Sequence, residues 1–275
     1  MMEPPTPELA FPGWQQHYAE VNGLRLSFLE WGAPSLPAVL LLHGLTVEAH
    51  SWDPVASLLQ ERFRLIVPDL RGHGDSAWPQ PPSYTTQNFV DDLVALLRAI
   101  KVEHCAVIGH SLGAAIGIAL AQEASPRIER LAVVESAPLA GSEGAPPWAA
   151  LTPFASFADL VAATAKAFPR SPVDLIGYMA FHNARRTPDG AWTRKHSPHL
   201  QTLTLAPLWD KLDRLACPML VVNGSLSTVF PLEQAQRLVA LAPDARMTTI
   251  ADAGHPIAQE QPDALAELLL TFLSP

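Results

Sequence analysis

The chain has 275 residues, 48% of them apolar, enough for a large core and near the upper end of what one continuous core supports. A formal charge of −9, with no basic cluster longer than Arg185-Arg186 or Arg194-Lys195, argues against nucleic acid and anionic membrane surfaces as partners. Acids and prolines occupy the start where a signal peptide needs a basic end and an apolar stretch, no later run approaches the ~18 apolar residues that span a bilayer, and Cys105 and Cys217 read as buried fillers in a reducing compartment, so a soluble cytoplasmic protein is expected.

From Gln16 to Trp31, apolar and polar residues alternate on either side of Asn22-Gly23, which predicts a β-hairpin. Ala38 to Leu42 (AVLLL) is apolar on both faces and too short for a helix, so it reads as a covered strand. A helix over Ser51 to Glu61, a strand over Phe63 to Pro68 and a charged, glycine-rich loop over Asp69 to Ser76 follow. Phe89, Leu93, Leu96, Leu97 and Ile100 recur at helical spacing between Thr86 and Ile100, opposite Asp91, Asp92 and Arg98. His104 to Ile108 is the next buried strand, Gly109 to Gly113 a tight turn, Ala114 to Glu123 a helix, and Leu131 to Val134 a further strand. This order of β and α predicts an α/β fold with a mostly parallel sheet and helices on both faces.

Between Pro138 and about Leu205 no buried strand is apparent, and helix-like pieces lie near Phe157–Phe168 and Val173–Arg185. The expectation is an inserted helical cap at 138–205 on a core formed by 1–137 and 206–275. Trp148, Phe154, Phe157, Phe168, Met179 and Phe181 are then available to line an apolar pocket, although ordinary packing of a small lobe accounts for many such residues. The alternation resumes with a strand over Cys217 to Val222, a helix over Leu232 to Leu241, a strand over Arg246 to Ile250, a loop over Ala251 to Pro256 and a last helix over Pro262 to Phe272.

Gly109-His110-Ser111-Leu112-Gly113 matches G-x-S-x-G between a buried strand and a buried helix, the context that motif requires. The small residues at −2 and +2 let the backbones approach at a sharp turn. That turn exposes the serine Oγ and aims the first helical N–H groups at the same point, where negative charge develops.

With three further landmarks in order, the chain resembles the α/β-hydrolase superfamily over nearly its whole length. His43-Gly44-Leu45 follows a strand as the oxyanion loop does, Asp69 to Ser76 matches D-x-R-G-x-G-x-S, and Ala253-Gly254-His255 with Glu260 and Pro262 resembles the terminal G-H-x-x-x-x-E-x-P segment. The resemblance implies Ser111 as nucleophile, His255 as general base, and the backbone N–H groups of Leu45 and Leu112 as the oxyanion hole. His43 then reads as a residue that holds its loop, the Asp69–Ser76 loop as architecture, and His73 and His110 as supporting residues rather than bases.

The acid departs from the family pattern. The usual carboxylate follows the strand at Met219–Val222, but Ser227 and Thr228 stand at the two expected places and neither can carry a negative charge. Glu135, at the end of the preceding strand (LAVVESAP), occupies the place where some branches of the superfamily carry their acid, and it is the expected third member of the triad. Asp252, only three residues before His255, and a Ser–His dyad without a carboxylate remain alternatives.

A serine at the elbow argues against chemistry that needs a carboxylate nucleophile, which leaves acyl transfer to water from a small-molecule carboxylic ester as the leading expectation. C–C bond or lactone hydrolysis, acyl transfer to an alcohol, and a ligand receptor that has lost turnover are the alternatives that one scaffold leaves open. No H-x-x-x-H, C-x-x-C, Walker or G-x-G-x-x-G pattern occurs, so neither metal nor cofactor is expected.

Overall fold

Runs that are apolar on every residue build the centre of the molecule, because each strand there must satisfy a hydrophobic layer on both sides. The computed structural model describes residue 7 and residues 10–123, 127–136 and 151–274. Its first part contains β1 (Gln15–Val21), β2 (Leu24–Trp31), β3 (Ala38–Leu42), α1 (Asp53–Leu59), β4 (Arg64–Pro68), α2 (Thr86–Ala99), β5 (His104–His110), α3 (Leu112–Leu120) and β6 (Arg127–Val134). Next come α4 (Phe157–Ala167), α5 (Val173–His182), β7 (Ala184–Arg186) and β8 (Trp192–Arg194). The chain closes with β9 (Met219–Gly224), α6 (Leu232–Leu241), β10 (Ala245–Ile250), α7 (Ile257–Glu260) and α8 (Pro262–Leu273).

Eight strands form one sheet in the order β1-β2-β4-β3-β5-β6-β9-β10. The hairpin β1–β2 joins through an antiparallel β2–β4 pair, and every other pairing in this sheet is parallel. Side-chain alternation divides the core in two: Leu40, Leu42, Cys105 and Val107 point into the layer under α2, α3 and α6, while Val39, Leu41, Ala106 and Ile108 point into the layer under α1 and α8. Each such Leu or Ile contributes roughly 1.5–3 kcal/mol by leaving water. This α/β-hydrolase arrangement brings the carboxyl ends of β3, β5, β6 and β9 to one edge, where ligands bind in open parallel sheets.

Local differences from the sequence reading have physical causes. The helix expected from Ser51 begins as a 3₁₀ turn, Ala49–Trp52, capped by the Glu48 carboxylate on His50 N–H at 2.7 Å, and only then becomes α1 with Pro54 in its first turn. The helix expected to run from Val173 to Arg185 stops at His182, because the backbone enters a small antiparallel pair, β7 with β8. Its turn, Thr187-Pro188-Asp189-Gly190, has Gly190 at φ 90. Among the described residues no helix is long and apolar enough to cross a membrane.

Candidate active site

The chain leaves β5 at His110 and enters α3 at Leu112 through one residue, Ser111, held at φ 51 and ψ −117. A non-glycine residue there carries strain of about 1–3 kcal/mol and is sustained only by its surroundings. Ser111 N–H is fixed to Val134 O at the end of β6, at 3.0 Å. A side chain at Gly113 would begin 2.3 Å from Leu42 O, so the motif's last glycine is what lets α3 start against β3. As the first residue of α3, Leu112 has an N–H without an acceptor inside the helix. The loop after β3 lies beside it: a Cβ placed on Gly44 would sit 3.4 Å from Ser111 Cβ and 3.0 Å from His110 Nδ1.

Glu135 follows β6 in the left-handed region, at φ 54, with its N–H given to Val222 O at 2.8 Å. That turn sends its carboxylate, 1% exposed, toward the end of β9. Oε1 accepts Gly224 N–H at 2.6 Å, and Oε2 accepts the Ser227 hydroxyl at 2.5 Å and lies 3.0 Å from His255 Nδ1. Ser227, which stands where relatives are expected to carry the acid, is therefore a donor to the acid that arrives from β6. Sequence reasoning missed this role because a hydroxyl at that position was weighed only as a replacement for the charge.

The His255 loop is pinned from both sides. Gly254 N–H donates to Glu260 Oε2 at 2.7 Å, and His255 O lies 2.9 Å from His110 Nε2. A Cβ at Gly224 would meet Ala253 O at 2.4 Å, so β9 and this loop touch backbone to backbone. With Nδ1 engaged by Glu135, Nε2 is the nitrogen left for chemistry. Asp252 is exposed, and its N–H donates to Ser225 Oγ at 2.9 Å. The structure thus brings Glu135, rather than Asp252 or Thr228, to His255.

The other histidines serve the scaffold. His43 accepts Leu70 N–H on Nε2 at 3.0 Å and gives Nδ1–H to Gly44 O at 2.7 Å, and burial holds its pKa down to about 4, which keeps this neutral arrangement. His110 is pushed down to about 3 by burial and by neighbouring His255, and His73 well below the usual range by burial, so neither carries a proton near neutral pH. In the Asp69–Ser76 loop, Asp69 accepts Ala49 and Asp75 N–H groups at 2.8 and 2.9 Å, and Arg71 grips Asp92 at 2.7 and 2.8 Å.

A cavity of about 560 Å³ lies between the loop after Leu45 and the helices α4 and α5. Thr46, Val47, Glu48 and Ser51 line one side, and Phe154, Leu160, Phe168 and Met179 are among the residues opposite. Neither Ser111 nor His255 lines it, so it is a chamber beside the loop after β3 and separate from the elbow. Of the aromatic residues expected to line a pocket, Phe157 instead packs on Trp192, with ring centroids 5.4 Å apart, and Phe181 on His182 at 5.1 Å. Trp148 lies outside the described residues. At the C-terminus of α5, Asn183 donates Nδ2–H to Thr46 O at 2.9 Å and so ties this lobe to the oxyanion loop. Among the described residues no group of three or more His, Cys, Asp or Glu could hold a metal ion.

A mostly parallel sheet with a strand-helix elbow at Ser111, and a histidine engaged by a carboxylate at the ends of neighbouring strands, has the layout of the α/β hydrolases. Residues 39–268 match the family described as "Alpha/beta hydrolase family", and the chain is a member of it. It is 32% identical over 255 residues to the esterase Rv0045c of Mycobacterium tuberculosis, covering 89% of this chain and 85% of that one. The crystal structure of that esterase superposes with a TM-score of 0.79 at 28% identity, over 95% of this chain and 92% of the esterase. The 2-(acetamidomethylene)succinate hydrolase of Mesorhizobium japonicum is 24% identical over 265 residues, 92% of this chain and 93% of its own. The thioesterase domain from the curacin biosynthetic pathway superposes with a TM-score of 0.82 at 22% identity, over 94% of this chain and 99% of that domain.

Proposed function

We propose that this hydrolase cleaves carboxylic esters through an acyl-enzyme, with Ser111 as nucleophile, His255 as general base and Glu135 as the acid that orients it. The observation that carries this reading is the Glu135 Oε2 to His255 Nδ1 contact at 3.0 Å, which leaves Nε2 free as a base, alongside Ser111 held at φ 51 at the elbow between β5 and α3. In the first half-reaction Ser111 Oγ bonds to the ester carbonyl carbon as His255 Nε2 takes its proton. The oxyanion would be received by the N–H groups of Leu45 and Leu112. Collapse breaks the bond to the alcohol oxygen, which leaves with the proton from His255. Water then attacks the acyl carbon, gives its proton to Nε2, and Ser111 recovers that proton as the carboxylic acid departs.

In this reading residues 138–205, of which 138–150 lie outside the described residues, form a cap over a core of 1–137 and 206–275, and the described part shapes the substrate chamber. An esterase relative at 32% identity supports the choice of ester. The test is turnover of a p-nitrophenyl ester series together with fluorophosphonate labelling, with Ser111→Ala as the blank. Wild-type turnover and labelling that both vanish in S111A are expected. Turnover that survives S111A overturns the nucleophile, and a wild-type protein that neither labels nor releases p-nitrophenol overturns the esterase reading.

A further inference from the structure

Several of the polar side chains that line the chamber beside the loop after Leu45 are already engaged. Ser51 Oγ donates to Glu48 O at 2.6 Å, Thr164 Oγ1 to Leu160 O at 2.9 Å, and Asn183 uses both side-chain ends, on Thr46 O and on Lys195 N–H at 3.0 Å. Arg194, on β8, lines the same cavity with its guanidinium 5.6 Å from the Phe154 ring centre and has no carboxylate partner among the described residues. Its neighbour in sequence, Lys195, is by contrast paired, with Asp75 at 2.8 Å.

Burial lowers the Arg194 pKa from its ordinary value, the mark of a cation partly removed from water without compensation. A planar guanidinium in that state gains most from a planar anion that takes two of its N–H bonds. The acid in the described lining, Glu48, forms no ion pair with it: its carboxyl is buried and accepts His50 N–H at 2.7 Å.

We infer that Arg194 forms a carboxylate-binding subsite, so that the preferred ester carries a free carboxylate on a short apolar chain that runs from the reacting carbonyl into the chamber. This inference rests on the esterase reading and specifies its substrate class. Phe154, Leu160 and Met179 would cover the chain, and Lys166 at the rim adds a second positive charge.

Two pairs matched in chain length test it, because the anion can belong to the acid or to the alcohol: monomethyl glutarate against methyl pentanoate, and 4-acetoxybutanoate against butyl acetate. Hydrolysis is followed by pH-stat, and binding of the same esters to S111A by calorimetry. In at least one pair the carboxylate ester should lead by about tenfold or more in kcat/KM, and Arg194→Met should erase that lead while leaving the neutral ester within about threefold. Arg194→Lys should restore part of it. Equal kcat/KM within both pairs, or an R194M enzyme that loses neutral and anionic esters alike, overturns the inference. If the wild type hydrolyses none of the four, the esterase reading fails, and calorimetry on S111A still decides: tighter binding of a carboxylate ester, lost in S111A/R194M, upholds the subsite, and equal binding removes it.

Discussion

Glu135→Gln isolates the charge that distinguishes this triad, since it keeps shape and volume at a residue that is 1% exposed. The amide has two orientations. With its oxygen toward Gly224 N–H, 2.6 Å away, its NH₂ faces His255 Nδ1 and the Ser227 hydroxyl. Nδ1 must then accept rather than donate, which moves the imidazole proton to Nε2, where it cannot take the Ser111 proton. The flipped amide sets an NH₂ against Gly224 N–H and leaves a buried donor unsatisfied, at a cost of about 1–3 kcal/mol. The wrong tautomer therefore dominates, and the positive charge that develops on His255 also loses its partner. Removing the acid in this way typically lowers kcat by ~10⁴, equivalent to about 5.5 kcal/mol of transition-state stabilisation. Stopped-flow release of p-nitrophenol, with KM and the thermal midpoint measured alongside, gives the comparison. The expected variant is folded, binds ester with little change in KM, and has kcat lower by three to four orders of magnitude. An E135Q enzyme within about threefold of wild type in kcat would refute the reasoning.

Three further outcomes follow from the geometry. In the E135Q background, Ser227→Asp should recover part of the lost kcat, because its carboxylate would start from the position whose hydroxyl now lies 2.5 Å from Glu135 Oε2; kcat no better than in E135Q alone would show that it does not reach His255. Asn183→Ala should lower kcat by roughly tenfold or more with neutral esters, since Thr46, held at φ 65 beside the oxyanion loop, loses its tie at 2.9 Å; adding Thr46→Gly should recover the rate by removing the strain, and an N183A enzyme of normal kcat would discount the tie. Burial acts to lower the His50 pKa, but Asp53 at 2.6 Å, with Glu48 and Asp69, outweighs it and raises the pKa to about 9. A raised histidine pKa stabilises fully below the ordinary value of about 6.5 and is lost as pH climbs through the folded value. The wild-type melting temperature should thus fall from pH 7 to 9, and His50→Gln should flatten that decline; parallel melting curves for the two would contradict it.

The buried strands were legible because a residue run apolar on both faces has few alternatives in a chain this long, and β3, β5 and β9 all have that form. The elbow was legible because G-x-S-x-G has meaning only between strand and helix, and Val107 and Ala114 supply both. Glu135 could be proposed from its place at a strand end once Ser227 and Thr228 lacked a charge. The β7–β8 pair escaped because its strands are three residues long and only partly buried, although Thr187-Pro188-Asp189-Gly190 is a turn signal that, read beside Trp192, points to a hairpin. The contacts of Asn183 and Arg194 had no local signature, since Asn183 and Thr46 are 137 residues apart and an arginine in a polar stretch reads as solvated.

Backbone strain in this chain is distributed with a pattern that bears on how the site holds together. Among the described residues, six that are not glycine have positive φ: Asn22, Thr46, Lys101, Ser111, Glu135 and Asp252. Asn22 and Lys101 lie in turns away from the site, while the other four lie just beyond β3, β5, β6 and β10. Each of these four is tied by a bond from a different part of the chain: Thr46 O by Asn183, Ser111 N–H by Val134, Glu135 N–H by Val222, and Asp252 N–H by Ser225. Left-handed backbone costs each about 1–3 kcal/mol, so the reactive geometry is not a local minimum of its own loops. It is imposed by the sheet, whose neighbouring strand ends hold Ser111, Glu135 and Asp252 in place, and at Thr46 by the lobe that carries α5. The proposed triad is therefore as rigid as the register of β5, β6 and β9, whereas the loop after β3, proposed to supply part of the oxyanion hole, depends in addition on how that lobe is seated. A ligand that settles the lobe through Arg194 would act on the loop at Thr46 through Asn183, whose backbone oxygen accepts the N–H of the adjoining Lys195 at 2.8 Å, and so couple recognition of the distal group to stabilisation of the proposed transition state.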